Sequence, residues 1–337
     1  MPSNSSATER ADTKREDRAA RVVVFAPARL HLGFLDLNGG LGRRFGGLGL
    51  TIDAFGTRLR MAPAPAPSAN GPGAERALGY LDLAAQALKL PPGARIAIDE
   101  ASPEHAGFGS GTQLGLAVAA ALARLHGARL ATADLAQAIG RGARSGIGIG
   151  AFDSGGFLVD GGLAPGTQPA PVIARLAFPT EWRVLLLLDP KRRGLHGSGE
   201  TTAFGKLPDF PESLAGRLCR VLAMRLLPGL AERDFAAVSS ALGEIQQRLG
   251  DYFSAAQNGR FSSPAVAEAL AWLGGQGIIG VGQSSWGPTG FALIDTAARA
   301  EAVAKAAQAR FCAARSLEFR IVGARNRGAD IDVLASQ

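Results

Sequence analysis

The sequence predicts an α+β protein, on three observations. Short β-branched or alternating runs recur along the chain, as in "RVVVFA" at 21–26, "ARIAIDE" at 94–100 and "WRVLLLLDP" at 182–190. Long helical stretches separate some of them, above all the apolar run after "GSGTQ". Strands and helices nevertheless fail to alternate in strict βαβ order, which argues against a doubly wound parallel sheet. With 337 residues the chain is long enough for two domains, and a Pro-rich connection, "LAPGTQPAPV", places the expected boundary near 165–180. The expected layout is a disordered tail over 1–20, a first domain over 21–170 and a second over 180–337.

Taken in order, the polar, mixed-charge tail "MPSNSSATERADTKREDRAA" has no apolar core, which argues against a secretory signal. A strand opens at Arg21 and continues in character to Leu37. "NGGLGRRFGGLGL" is too Gly-rich for a helix and reads as a loop or hairpin leading into a strand around Leu50–Ile52. "APAPAPSANGPG" reads as a surface connection, followed by a helix over about 74–88, the half-buried strand 94–100, a helix to about His126 and another over about 133–141. "RSGIGIGAFDSGGFLVDGG" (144–162) reads as a second Gly-rich segment ending in a strand. The second half reads as a strand over 182–190, helices between about 212 and 274, then strand, Gly-rich turn and strand over 277–294. A helix over 296–310 and a last strand over 316–322 complete it.

Hydrophobic residues make up 47% and charged residues 19%, a soluble globular composition without an uninterrupted apolar span for a membrane. Net charge is +7, which favours anionic metabolites as partners. The basic residues are scattered and only 6% of the chain is aromatic, which argues against nucleic acid. Cys219 and Cys312 lie far apart and form no metal-ligand spacing, so both are expected as small core residues in a reducing, cytoplasmic setting.

The stretch "HAGFGSGTQLGLAVAAAL" carries the most chemistry. Glycines ahead of a helix let its unpaired N–H groups and positive dipole end approach an anion. Gly107, Gly109 and Gly111 would provide that approach. Ser110 and Thr112 would reach a phosphate oxygen or Mg²⁺, with Gln113 beside them. The competing reading is that Ser110 merely caps a buried helix. The segment is neither a Walker A loop, lacking Gly-Lys-Ser/Thr, nor a dinucleotide fingerprint.

Three segments, "PARLHLGFLDLNGG", "GFGSGTQLGLAVAAAL" and "VGQSSWGPTGFAL", resemble in order the three motifs of the GHMP kinase superfamily. A narrower resemblance adds "RSGIGIGAFDSGGFLVDGG" and "RRGLHGSGE" and points to the β-ribofuranosylaminobenzene 5′-phosphate synthase family, over about residues 22–325. The resemblance implies a ribosomal-S5-like N-terminal domain and a ferredoxin-like C-terminal domain. It also implies condensation of 5-phosphoribosyl 1-diphosphate with a 4-substituted benzoate, Mg²⁺ dependence, a homodimer and a place in tetrahydromethanopterin biosynthesis. The amino- or hydroxybenzoate acceptor stays open. Two alternatives remain: an ATP-dependent GHMP kinase and a catalytically silent binding protein. Many GHMP kinases carry an acid in a segment like "SGID"; aligned by eye, Gly148 falls at that position and Asp153 follows five residues later.

On this resemblance Arg29 and His31, alternating on one strand, would hold an anion and move a proton. Asp36 is a candidate Mg²⁺ ligand or a turn residue. Lys191, Arg192, Arg193, His196 and Ser198 crowd a loop suited to a phosphate or carboxylate, with His196 as acid or base. Asp153 and Ser154 compete between a site role and a turn role. Ser284 and Ser285 would complete the site, with Trp286 stacking on the acceptor or packing. His126 is expected to cap its helix.

Overall fold

The computed structural model describes residues 21–194, 202–205, 207–257 and 259–334. The tail expected to be disordered, and the candidates His196 and Ser198, lie outside the described residues. The chain runs β1 (Arg21–Ala26), β2 (Arg29–Asp36), β3 (Phe45–Thr51), β4 (Thr57–Pro63), β5 (Ser68–Asn70), α1 (Ala74–Leu88) and β6 (Ala94–Glu100). Next come α2 (Ser110–Leu125), α3 (Thr132–Ala138), α4 (Ile147–Asp153), β7 (Phe157–Asp160), β8 (Val172–Leu176) and β9 (Arg183–Leu188). Helix α5 (Glu212–Val221), a π turn (Leu222–Leu226), α6 (Leu227–Glu232), α7 (Phe235–Gln257) and α8 (Pro264–Gly275) precede β10 (Val281–Gln283) and β11 (Gly290–Ile294). The last elements are α9 (Ala297–Arg315), β12 (Glu318–Val322) and β13 (Asp330–Leu334).

Three sheets result, in the orders β13-β1-β4-β6-β5, β2-β3-β7-β8 and β10-β11-β9-β12. The α+β reading holds: all pairings are antiparallel except β5 with β6. One core packs α1 and α2 on the first sheet, where Val22, Val24, Leu59, Met61 and Ile96 alternate inward. A second core runs from β2 and β3 through Val184 and Leu186 to α5, α7 and Phe291, so both halves of the chain share it. A third lies between the β9–β11–β12 face and helices α8 and α9.

Four details depart from the sequence reading. Strand β3 begins at Phe45 rather than near Leu50, because Gly46, Gly47 and Gly49 lie in the sheet, and Ile147 sits where a Cβ on Gly49 would be. Helix α4 forms inside the Gly-rich segment 144–162, and residues 147–152 are all buried. Tertiary packing thus overrides the low helix propensity of Gly148 and Gly150. Strand β13 follows β12 and returns to pair with β1, so the last residues belong to the first sheet. Cys219 and Cys312 are exposed rather than core residues, since their helices turn Leu218 and Phe311 inward instead.

Candidate active site

Strand β2 carries the first motif. Its ladder with β3 slips between His31 and Gly33, a bulge of the kind that re-aims side chains beside functional sites. Arg29 donates from Nη1 to the Gly107 carbonyl at 2.7 Å, and its backbone N–H donates to the Phe108 carbonyl at 3.1 Å. The turn after β10 closes on the same loop. Ser284 Oγ donates to the Gly107 carbonyl at 2.7 Å and accepts from the His31 N–H at 3.0 Å. Ser285 N–H donates in turn to the His31 carbonyl at 3.0 Å. The three motifs, up to 253 residues apart, therefore meet on one carbonyl and one hydroxyl. Gly107 is a glycine by necessity: its φ is +94°, and a Cβ would stand 2.5 Å from the Ser284 carbonyl oxygen.

Helix α2 starts behind this knot. Its N-cap is Gly109, with φ 76° and no side-chain cap bond, so Ser110 does not serve as the cap. The Thr112 and Gln113 N–H groups both close on the Gly109 carbonyl. Arg76 from α1 and Arg141 after α3 converge beside the helix start: a Cβ on Gly111 would lie 3.0 Å from one guanidinium and 3.1 Å from the other. Arg76 also pairs with Glu104, and Arg141 bonds the Tyr80 hydroxyl. Two cations at the positive end of a helix dipole form a ready anion site.

Helix α4 packs against the same start. Gln113 Nε2 donates to the Gly148 carbonyl at 2.8 Å, and a Cβ on Gly148 would lie 2.9 Å from Thr112 Cγ2. Position 148, where the by-eye alignment puts the acid of SGID-like kinase segments, thus packs on the α2 N-terminus and carries no side chain. Asp160 pins the beginning of α4. Its buried carboxylate accepts from Ser145 Oγ and the Gly146 N–H, both at 2.8 Å, and from the Gly162 N–H at 3.0 Å.

His31 is 3% exposed, and neither ring nitrogen has a hydrogen-bond partner. Burial, reinforced by the nearby Arg29 charge, lowers its pKa from 6.5 to about 3. The imidazole is therefore neutral at pH 7 and a weak base. It lines a cavity of about 40 Å³ with Phe34, Gln246, Phe253 and Trp286. That volume holds water rather than a benzene ring. An aromatic wall continues outward, with Phe34 4.7 Å from His31 and Phe204 5.3 Å from Trp286, ring centre to ring centre.

Other candidates fall elsewhere. Asp36 Oδ1 accepts from the Asn38 and Gly39 N–H groups at 2.7 and 3.1 Å, which makes it a turn residue. Asp153 accepts from Thr132 Oγ1 beside Arg124, near the C-terminal end of α2, and Ser154 Oγ donates to the Gly150 carbonyl. Along α4 they lie about 8–9 Å beyond Gly148, and both side chains are engaged away from the cradle, Asp153 with Thr132 and Ser154 with its own helix. Lys191, Arg192 and Arg193 are exposed, and Arg192 reaches the Ser262 carbonyl at 3.4 Å. The following Gly194 docks its N–H on the His105 carbonyl at 2.8 Å, which brings this point of the chain to the cradle. His126 is the C-cap of α2, as expected, and bonds the Pro91 carbonyl.

Among the described residues no group of three or more His, Cys, Asp or Glu side chains could hold a metal. Among the described residues the cradle offers the Ser110 and Thr112 hydroxyls, which suit an ion shared with phosphate oxygens rather than an all-protein cage. No helix among the described residues is long and apolar enough to cross a membrane.

Residues that the sequence reading did not single out also build the site: Arg76, Tyr80, Arg141, Asp160 and Gln246. Gln246 Nε2 donates to the Leu32 carbonyl at 2.6 Å and its Oε1 accepts from the Gln283 N–H at 2.9 Å, clamping the bulged strand to β10. No local pattern marks these residues: Arg76, Tyr80, Arg141 and Gln246 act on segments 28 or more residues away, and Asp160 reaches back 14 and 15 residues to the start of α4.

Comparisons with known proteins match this geometry. Residues 75–158 match the GHMP kinases N-terminal domain and residues 226–313 the GHMP kinases C-terminal domain. The chain is 32% identical over 321 residues to a beta-ribofuranosylphenol 5′-phosphate synthase of Archaeoglobus fulgidus, covering 91% of this chain and 98% of that one. It is 31% identical to the synthase of the same name from Methanothermobacter thermautotrophicus, covering 81% and 89%. Among solved structures, a homoserine kinase of Cytophaga hutchinsonii superposes with a TM-score of 0.65 at 17% identity, covering 93% and 97%. That likeness concerns the fold. With the three motifs meeting on Gly107 and Ser284 and these relatives matched along nearly their whole length, the chain belongs to the β-ribofuranosylphenol 5′-phosphate synthase family, built on the GHMP kinase fold.

Proposed function

We propose that the protein condenses 5-phosphoribosyl 1-diphosphate with a 4-substituted benzoate, releasing CO₂ and diphosphate. The observation that carries this reading is the α2 N-terminus, flanked by Arg76 and Arg141 and facing a glycine at position 148. Such a site holds a diphosphate but lacks a kinase-type acid at that position. As the C–O bond to diphosphate breaks, its electron pair leaves on an anion that the helix start, Arg76 and Arg141 stabilise. The ring carbon bearing the carboxylate supplies the pair for the new C–C bond. Loss of CO₂ then returns the pair of the broken C–C bond to the ring.

The reaction balances without a net proton, which agrees with a buried His31 that stays neutral. In this reading His31 is a neutral wall of the acceptor site, and the acceptor ring lies at the cavity mouth against Phe34 and Trp286. Arg29 fixes the loop through Gly107. Mg²⁺ would sit with the diphosphate at Ser110 and Thr112, neutralising the leaving charge. The relatives' name specifies a phenol product, which 4-hydroxybenzoate gives; 4-aminobenzoate gives the aminobenzene. A homodimer, a cytoplasmic setting and a place in tetrahydromethanopterin biosynthesis belong to the same proposal.

The test supplies Mg²⁺, phosphoribosyl diphosphate and carboxyl-labelled 4-hydroxybenzoate or 4-aminobenzoate. Label should appear in CO₂ only when the phosphoribosyl donor is present, and Ser110→Ala and Arg29→Ala should slow its release while remaining folded. ADP formation from ATP with no labelled CO₂ would favour the kinase reading. Inactivity in both assays would leave a binding protein.

A further inference from the structure

Three glutamines line the cavity beside His31, and each has its amide engaged within the fold. Gln246 clamps β2 to β10. Gln283 Nε2 donates to the Ser285 carbonyl at 2.8 Å and to Gln257 Oε1 at 3.3 Å, while its Oε1 accepts from the Ser262 N–H at 2.7 Å. Gln257 Nε2 donates to the Arg260 carbonyl at 2.8 Å, and the Arg260 guanidinium pairs with Asp251. Among the described residues of this lining, His31 alone has buried side-chain polar atoms without a hydrogen-bond partner, and both of its ring nitrogens are of that kind.

A buried polar group left unpaired is costly, so a ligand that pairs with it gains what the fold leaves unused. The neutral imidazole keeps an N–H on one nitrogen and a lone pair on the other. It calls for a small group that donates, accepts or does both. At about 40 Å³ the cavity admits a hydroxyl or amino group, while the ring carrying it stays at the mouth between Phe34 and Trp286. Cavity and cradle are joined by one knot, in which Ser284 Oγ accepts from the His31 N–H and donates to the Gly107 carbonyl. A benzoate lying across that knot would present its carboxylate end to the donor and its 4-substituent to His31.

We infer that this cavity is the socket for the 4-substituent of the acceptor, and that His31 selects a benzoate carrying an O–H or N–H there. The inference rests on the proposed reaction and deepens it at the acceptor site. Electron flow gives the contact a part in rate as well as in binding. When the ring carbon attacks the anomeric carbon, a π pair of the ring forms the C–C bond, and the positive charge left behind spreads onto the 4-oxygen or 4-nitrogen. The O–H or N–H becomes a stronger donor, so its bond to the His31 lone pair tightens toward the transition state. Loss of CO₂ returns a pair to the ring, and the proton stays on the substituent. A carboxylate in the socket would instead turn the reacting carbon away from the donor.

The test sets 4-hydroxybenzoate and 4-aminobenzoate against 4-methylbenzoate, which fills similar space without a polar hydrogen. Isothermal titration of the full chain, with Mg²⁺ and diphosphate present, should show the polar ligands bound roughly tenfold more tightly than the methyl analogue. His31→Phe should abolish that preference, whereas His31→Gln, which keeps a donor and an acceptor, should retain part of it. A residue that only supported the fold would weaken all three ligands alike and leave the ratio unchanged. In the CO₂ assay, His31→Phe should lower kcat/KM for the benzoate roughly tenfold and leave the KM for phosphoribosyl diphosphate unchanged. Circular dichroism should show native folding in both variants. An unchanged ratio in folded His31→Phe overturns the inference. So does wild-type protein that binds 4-methylbenzoate as well as both polar ligands, a result that needs no variant. A preference for one polar ligand alone supports the socket and identifies the acceptor. CO₂ release with a ratio indifferent to His31 leaves the reaction and removes the socket; no CO₂ release with a ratio that depends on His31 does the reverse.

Discussion

His31 offers the sharpest physical test, because its burial makes stability depend on pH in a window where carboxylates contribute little. The ring binds no proton in the folded state until about pH 3, whereas in the unfolded chain it titrates near 6.5. The unfolded state therefore binds more protons between these values, so stability falls as pH drops from 6.5 toward 3. Applying the linkage relation to these two pKa values, acidification from pH 7 to pH 5 costs about 2 kcal/mol through this one group. The comparison is His31→Phe, which removes the titration and keeps an aromatic ring among Phe34, Phe253 and Trp286. Urea unfolding at pH 7, 6 and 5 should show the wild type losing about 2 kcal/mol more than the variant over this range. The difference cancels the other histidines, and Glu244, held down to about 2 chiefly by its bond from Arg217, begins to matter only below pH 5. Equal pH slopes for wild type and variant would refute a buried, neutral His31 and with it the weak-base argument.

Two further changes probe how the motifs are held together. Ser284→Ala removes the donor to the Gly107 carbonyl and the acceptor for the His31 N–H in a fully buried place; chemical denaturation should show a loss of about 1–3 kcal/mol, with a fall in CO₂ release. Gly148→Ala puts a methyl 2.9 Å from Thr112 Cγ2 inside packed helix α4, so unfolding should register a cost of about 1–3 kcal/mol and turnover should drop as the α2 start is displaced. Wild-type turnover in folded Gly148→Ala would detach position 148 from the cradle.

Much of this protein was readable as sequence. Period and punctuation located helix α1 and strand β6 at their observed residues, and the Gly-rich start of α2 declared itself by composition alone. The order of the motifs by itself points to the family. Local pattern went no further, for identifiable reasons. Residues 147–152 of helix α4 are all buried, so its glycines serve packing against Thr112 and Leu158 and leave no amphipathic signature. Asp36 and Asp153 look alike as acidic residues in Gly-rich surroundings; only the fold shows one tied into a turn and the other bonded to Thr132 at the end of α4. Spacing along a chain reports which residues share a face of one element. Which faces converge is decided by long-range packing and by buried groups such as Ser284 and Gln246, each with a partner more than 170 residues away.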